Sequence, residues 1–370
     1  MSTISDLTPK PFSLSRISVN AYRKDSLNKE KLTHAELASR LDSIPRIHLA
    51  HLPTPLDECP KLSEKLGGPR IFIKRDDMTG LAFGGNKTRQ LEFLLAEVLT
   101  QNIDVLVAGA YTQSNWCRQI TAATRKLGMD VSLVLAHGEK GPSRQGNLLL
   151  DELMGAEIQV VDLEDIQDLP PLLDAEAERL KKLGRRPFII DPFRPDVLAR
   201  SALGYVQAVL EMELQFEDFG IRPDWVFVSG ANMTPAGLSL GFRILGRETR
   251  VFGIAPILWD EDRTVDIARI ANATAKLLEC DLQLSPSDIL SSDEYIGDRY
   301  GVLTQEGRDA LKLVAETEGI FLDPVYTSKA MAGMIDQIRK GIIRKNETVV
   351  FIHTGGLPAL FAYAEDLMLS

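Results

Sequence analysis

Short apolar runs and helical stretches take strict turns along most of this chain, and that alternation narrows its fold more than any other feature. The runs "RIFIKRDD", "DVLVAGA", "DVSLVLAH", "EIQVVD", "PFIID", "DWVFVSGA", "RVFGIAPI" and "ETVVFIHTGG" have strand length. Between them lie segments such as "SNWCRQITAATRKLG", closed by Gly128, and "SALGYVQAVLEMELQFEDFG". Strands that are apolar throughout must be covered on both faces, and the intervening helices are what covers them. The expectation is an α/β protein with largely parallel, buried sheets. "TRQLEFLLAEVLTQN" reads as an amphipathic helix, and "SLNKEKLTHAELASRLDSI" near the start as a surface helix.

A chain of 370 residues suits about two domains, and 44% hydrophobic residues suffice for a sizeable core. The formal net charge of −10 argues against a nucleic-acid surface, which needs a clustered basic face. No apolar run reaches the roughly 18 to 20 residues that span a bilayer, so no membrane partner is expected. Cys59, Cys117 and Cys280 have no metal spacing, and the five histidines include no His-x-x-x-His or His-x-His pair, so no metal is expected. "MSTISDLTPKPFSLSR" lacks the apolar core of a secretory signal. A soluble cytoplasmic protein is the expectation, with the Ser/Thr-bearing start leaving an organellar presequence open.

Four small-residue turns follow or flank the strands: "FGGNK", "AGAYTQSN", "SGANMTPAG" and "HTGGLP". In open α/β sheets ligands collect beyond the carboxyl ends of strands, so these turns are the natural wall of one site. In the first, Lys87 stands at a helix start behind Asn86 and two glycines. The helix macrodipole disfavours a cation there. Either the position is exposed, or the amine has a chemical task. In the third turn, Ser229, Gly230, Ala231, Asn232, Met233 and Thr234 offer hydroxyls and N–H groups at a helix N-terminus, which suits a phosphate; the segment alone equally suits an ordinary turn. Thr354 offers a hydroxyl for a ring nitrogen, or a turn residue. Gln113, Ser114 and Asn115 offer groups for a carboxylate or a phenolic oxygen, or simple helix capping. Tyr300 and Tyr326 lie in polar loops, as acid–base groups or as cover for a core edge. A nucleophilic lysine, a phosphate cup, a ring-nitrogen partner and a carboxylate clamp are together what pyridoxal 5'-phosphate chemistry requires.

"KRDDMTGLAFGGNKTRQLEFLLAE", "QSNWCRQITAATRKLG", "DPVYTSKAMAGMI" and "HTGGLPALFAY" closely resemble the D-cysteine desulfhydrase and 1-aminocyclopropane-1-carboxylate (ACC) deaminase family, from about His51 to Tyr363. The resemblance implies fold type II: two open, twisted, mostly parallel sheets with flanking helices and pyridoxal phosphate between the domains. It implies an N-terminal extension over 1–45, a large domain from 46–92 and 205–370, and a small inserted domain over 93–204. Lys87 matches the Schiff-base lysine, Asn115 the partner of the ring hydroxyl, and Thr354 the partner of the ring nitrogen. Ser114 matches a serine that touches substrate or shuttles a proton, and Tyr300 and Tyr326 the two active-site tyrosines. The implied activity is α,β-elimination from a small amino acid to a keto acid and ammonia, by a homodimer. ACC ring opening and a non-catalytic cofactor-binding homologue are the alternatives.

This chain departs from the family in "SGANMTPAGL", in Trp116 after "QSN", in "DPFRPDVLARSALGYV" and in Arg299 beside Tyr300. Asn86, Gln113, Ser114, Trp116, Arg299 and Tyr326 are the expected substrate contacts. Either Trp116 and Arg299 favour a substrate carrying a second anionic group, or Arg299 is solvated and Trp116 packs against the protein; the sequence suits both equally.

Overall fold

The computed structural model describes residues 31–163 and 165–368, so the first part of the expected N-terminal helix lies outside the described residues. From its start the chain runs through helix α1 (His34–Asp42), strand β1 (Leu56–Glu58), helix α2 (Pro60–Lys65), strand β2 (Arg70–Lys74) and helix α3 (Lys87–Val98). A strictly alternating stretch follows: β3 (Val105–Tyr111), α4 (Asn115–Lys126), β4 (Asp130–Ala136), α5 (Gly146–Leu153), β5 (Glu157–Val161), α6 (Pro170–Lys182) and β6 (Pro187–Ile190). Helix α7 (Pro195–Phe219) leads to β7 (Trp225–Ser229), α8 (Met233–Ile244), β8 (Arg250–Ile254), α9 (Arg263–Leu277) and β9 (Leu290–Ser292). The chain closes with α10 (Gln305–Glu318), α11 (Thr327–Arg339), β10 (Thr348–Ile352), α12 (Leu357–Ala362) and α13 (Ala364–Met368). Helix α7 begins six residues before the stretch expected from periodicity, because Pro195 at its first position needs no intrahelical N–H partner.

Two sheets form. One has the order β1-β2-β10-β7-β8-β9 and the other β5-β4-β3-β6. Every pairing is parallel except β1 with β2, so apart from β1 the strands of each sheet end together on one side. Side chains of the central strands feed two cores in alternation. Val226 and Val228 of β7 face one apolar cluster, Trp225 and Phe227 the other. In β10, Val350 and Ile352 divide from Val349 and Phe351 in the same way. That is why these strands read as unbroken apolar runs.

Helix α3 corrects the reading from periodicity. It is buried on all sides rather than amphipathic, with Arg89, Gln90, Glu92 and Leu91 alike shielded from solvent. Most of its polar side chains find partners inside the protein, although Gln90 Oε1 is buried without one. Glu92 accepts from Arg46 Nη2 at 2.6 Å and from the N–H groups of Leu49 and Ala50 at 2.7 Å each. Packing fixes the helix closely: a Cβ on Gly204 of α7 would stand 2.5 Å from the Arg89 carbonyl oxygen. Only glycine permits that approach.

Candidate active site

The loop that delivers Lys87 is an unusual piece of backbone. Gly80, Ala82, Phe83, Gly84 and Gly85 all have positive φ, and two of these carry side chains. Such conformations persist only where surroundings over-determine them. Gly85 N–H donates to the Asp76 carbonyl at 3.0 Å and to Thr79 Oγ1 at 2.8 Å. The buried Arg118 guanidinium bonds the carbonyls of Ala82 and Gly84. A Cβ on Gly84 would collide with the Asp77 carbonyl oxygen at 2.0 Å, so the double glycine is a steric requirement. Asn86 then anchors the turn, its N–H on the Thr354 carbonyl at 3.1 Å and its amide Nδ2 on Thr234 Oγ1 at 3.2 Å.

Lys87 is half-buried and lines a cavity of about 170 Å³. By the same measure one water needs only about 10–15 Å³. No carboxylate pairs with the amine among the described residues; its neighbour is the Trp116 ring, 5.6 Å from Nζ to the centroid. Desolvation by the surrounding protein therefore depresses its pKa from 10.5 to about 8. An unpaired amine that titrates near neutrality is a competent nucleophile and base.

The turn after β7 forms a second wall, with Ser229 through Thr234 all lining the cavity. None of its residues has positive φ. Met233 N–H is taken by Asn232 Oδ1 at 2.8 Å and Gly230 N–H by the Ile254 carbonyl at 2.9 Å. The N–H groups of Ala231, Asn232 and Thr234 have no backbone acceptor among the described residues, as the first turn of a helix dictates. Ser229 Oγ is buried without a partner. Free amides at a helix N-terminus beside an orphaned hydroxyl suit an anion such as a phosphate, despite the altered wording of this loop.

A third wall comes from the start of α4. Ser114 is both a cap and a cavity residue: its oxygen accepts from Cys117 N–H at 3.2 Å, which leaves its own proton to donate. Asn115 Oδ1 accepts from Asn147 Nδ2 at 3.0 Å, so its amide N–H₂ remains free for an oxygen ligand. Thr354 lines the cavity as well and is not the cap of α12, which is Gly356. Tyr300 and Tyr326 meet hydroxyl to hydroxyl at 2.5 Å, and Tyr111 stacks on Tyr300 with centroids 4.6 Å apart. Burial pushes both Tyr300 and Tyr326 well above the ordinary tyrosine pKa, so the pair donates protons rather than holding a phenolate.

Two expected substrate contacts are elsewhere. Gln113 lies outside the cavity, its amide clamping the next loop through Gln145 O at 3.0 Å and Asn147 N at 2.9 Å. Arg299 is 69% exposed and pairs with Glu139 at 2.8 Å. Adjacency to Tyr300 in sequence does not carry over to orientation, because the two side chains leave a turn in different directions. Tyr111, Ile166, Leu169, Phe193, Ile257 and Trp259 line the cavity without having been expected. Two signals were available: the "AGAYTQSN" turn contains Tyr111, and the "DPFRPDV" departure contains Phe193.

Comparison with known proteins agrees with this geometry. The family model "Pyridoxal-phosphate dependent enzyme" matches residues 47–355. A D-cysteine desulfhydrase of Klebsiella pneumoniae is 38% identical over 331 residues, 88% of this chain and 98% of that protein. A solved ACC deaminase homologue superposes with TM-score 0.82 at 37% identity, covering 91% of this chain and 99% of the other. The holo diaminopropionate ammonia lyase of Escherichia coli shares the fold, with TM-score 0.65 at 14% identity over 91% of this chain and 92% of that one. A family model that spans most of the chain, and a relative this similar over nearly its whole length, show that this chain belongs to the pyridoxal-phosphate dependent enzymes.

Proposed function

We propose that this enzyme eliminates a β-substituent from a small amino acid, yielding a keto acid and ammonia, with Lys87 as the proton carrier. The observation that carries the reading is the Lys87 amine, desolvated and without a counter-ion, facing the free donors of the 229–234 turn. The bound cofactor supplies an aldehyde for the lysine and a ring that withdraws electrons from the substrate's α-carbon. Ser229 and the amides of Ala231, Asn232 and Thr234 would hold its phosphate, with Gly230 and Met233 shaping the turn. Asn115 would donate to the ring hydroxyl, and Thr354 would serve the ring nitrogen, both from the cavity wall. Lys87 accepts the α-proton, Asn86 and Ser114 bind the substrate's carboxylate, and the Tyr300–Tyr326 pair returns a proton.

The similarity to a D-cysteine desulfhydrase makes a cysteine-like substrate the first choice. The similarity to an ACC deaminase homologue supports ring opening as the second reading. A homodimer in the cytoplasm belongs to the same reading. So does a division into a large domain (46–92 and 205–370) and a small one (93–204), supported by the strands: β3 to β6 fall within the second range and the others within the first. Keto-acid release from D-cysteine, L-cysteine and ACC tests the reading. Release from either cysteine is expected; a holoenzyme inert toward all three contradicts it, and release from ACC alone transfers it to the second.

A further inference from the structure

Building on that elimination reading, we infer that the departing group is apolar and bulky, an alkyl- or aryl-substituted thiol, received by a wall centred on Phe193 and Trp259. The cavity has two kinds of surface. Its polar groups are knitted to one another, Asn86 to Thr234 and to Thr354, with Ser114 and Asn115 on the start of α4. These donors are taken up by the cofactor and the substrate's carboxylate. The remainder is hydrocarbon. Ile166 and Leu169 belong to one packed cluster, with Tyr111 and Ile257 against it. Phe193 and Trp259 meet edge to face with centroids 5.5 Å apart.

Charge decides against an anionic substituent. Lys87 is the only charged side chain among the described residues lining the cavity. Arg263, which stands 4.8 Å from the Trp259 ring centroid, is already paired with Asp266 at 2.7 Å. An anion brought here loses its hydration without gaining a counter-charge. The Nε1 groups of Trp116 and Trp259 are buried without acceptors, yet two neutral donors do not replace a cation. The expectation that Arg299 selects an anionic substrate therefore gives way to its opposite. An apolar substituent gains by leaving water for this wall.

The reaction balances without an oxidant or reductant. The α-proton passes to Lys87, the Cβ–S bond breaks with its electron pair on sulfur, and the thiolate leaves protonated as a thiol. One water is consumed, and pyruvate and ammonium are the remaining products.

Both enantiomers of cysteine, S-phenylcysteine and S-carboxymethylcysteine leave the same pyruvate and differ only in the thiol. S-phenylcysteine is expected to exceed the other two in kcat/KM by about tenfold or more. Phe193→Ala and Trp259→Ala are expected to shrink that ratio severalfold. A readout independent of turnover is quenching of tryptophan fluorescence. Two of the three tryptophans line the cavity, while Trp225 is buried against Arg250. Homophenylalanine, which has no leaving group, should bind at least about tenfold more tightly than 2-aminobutyrate. Equal binding, or a preference for cysteine or the carboxymethyl compound, overturns the inference. Absence of pyruvate from all three with homophenylalanine still preferred defeats the elimination reading and leaves the apolar wall standing.

Discussion

Lys87 and Arg89 stand two residues apart on α3 and live in opposite electrostatic worlds. Arg89, fully buried, donates to both oxygens of Asp76 and both of Glu211 at 2.8–3.0 Å. Lys74 reaches Glu211 at 2.5 Å, and Tyr205 OH reaches Asp76 at 2.7 Å. Two cations face two carboxylates, and every one of them is hydrogen-bonded. The carboxylates hold the Arg89 pKa well above its usual value despite desolvation. Lys87 has desolvation and no carboxylate, and its pKa falls to about 8. The lesson is that burial of a cation says little by itself. Pairing separates a cation that holds the fold together from one that is available for chemistry. Lys329 sharpens the point, because burial depresses it to about 8 as well, yet it donates to the Ile296 carbonyl at 2.5 Å and does not line the cavity.

The largest way to break this comparison is Lys87→Ala. Keto-acid formation should fall by about 10⁴-fold, some 5.4 kcal/mol of transition-state stabilisation. The melting temperature should not fall, since no ion pair is lost. Arg89→Leu should do the reverse, destabilising the protein by about 3–5 kcal/mol in denaturant titration because Asp76 and Glu211 are left buried and uncompensated. If the two substitutions cost equal stability, the contrast between the cations is wrong.

The next effect is in pH. A lysine of pKa 10.5 is neutral in about one molecule in 3,000 at pH 7, and one of pKa 8 in about one in ten. The amine is reactive only when deprotonated. Stopped-flow absorbance should therefore show cofactor capture by the apoprotein slowing about tenfold per pH unit below 8 and levelling above it. A profile still rising beyond pH 9 marks an ordinary lysine. Smallest is Ser229→Ala, which removes the orphaned hydroxyl. It should weaken cofactor affinity about fivefold, near 1 kcal/mol, as read by equilibrium dialysis.

What the sequence made legible follows from where the physics is local. Strands buried on both faces announce themselves as apolar runs, and Gly84–Gly85 before Lys87 announces a backbone that side chains cannot follow. The burial of α3 was hidden because the partners of Arg89 lie 13 and 122 residues away, beyond any periodicity. Helix α9 was not among the segments read from the sequence; there Arg263, Asp266 and Arg269 form an ion cluster, and Ile267, Ile270 and Ala271 are buried. Lys87, Asn115 and Thr354, which line the cavity, were singled out from small-residue turns at strand ends. Phe193 and Trp259 sit in irregular loops, where no spacing foretells which way a ring points. Gln113 and Arg299 lie outside the cavity for the same reason in reverse.

The central claim is that Lys87 is the amine the cofactor links to, and peptide mapping tests it most directly. The holoenzyme is reduced with borohydride to fix the link, digested and sequenced by mass spectrometry. The account predicts the phosphopyridoxyl group on Lys87 alone. Label on Lys329, the other amine depressed to about 8, or on no lysine at all, contradicts it.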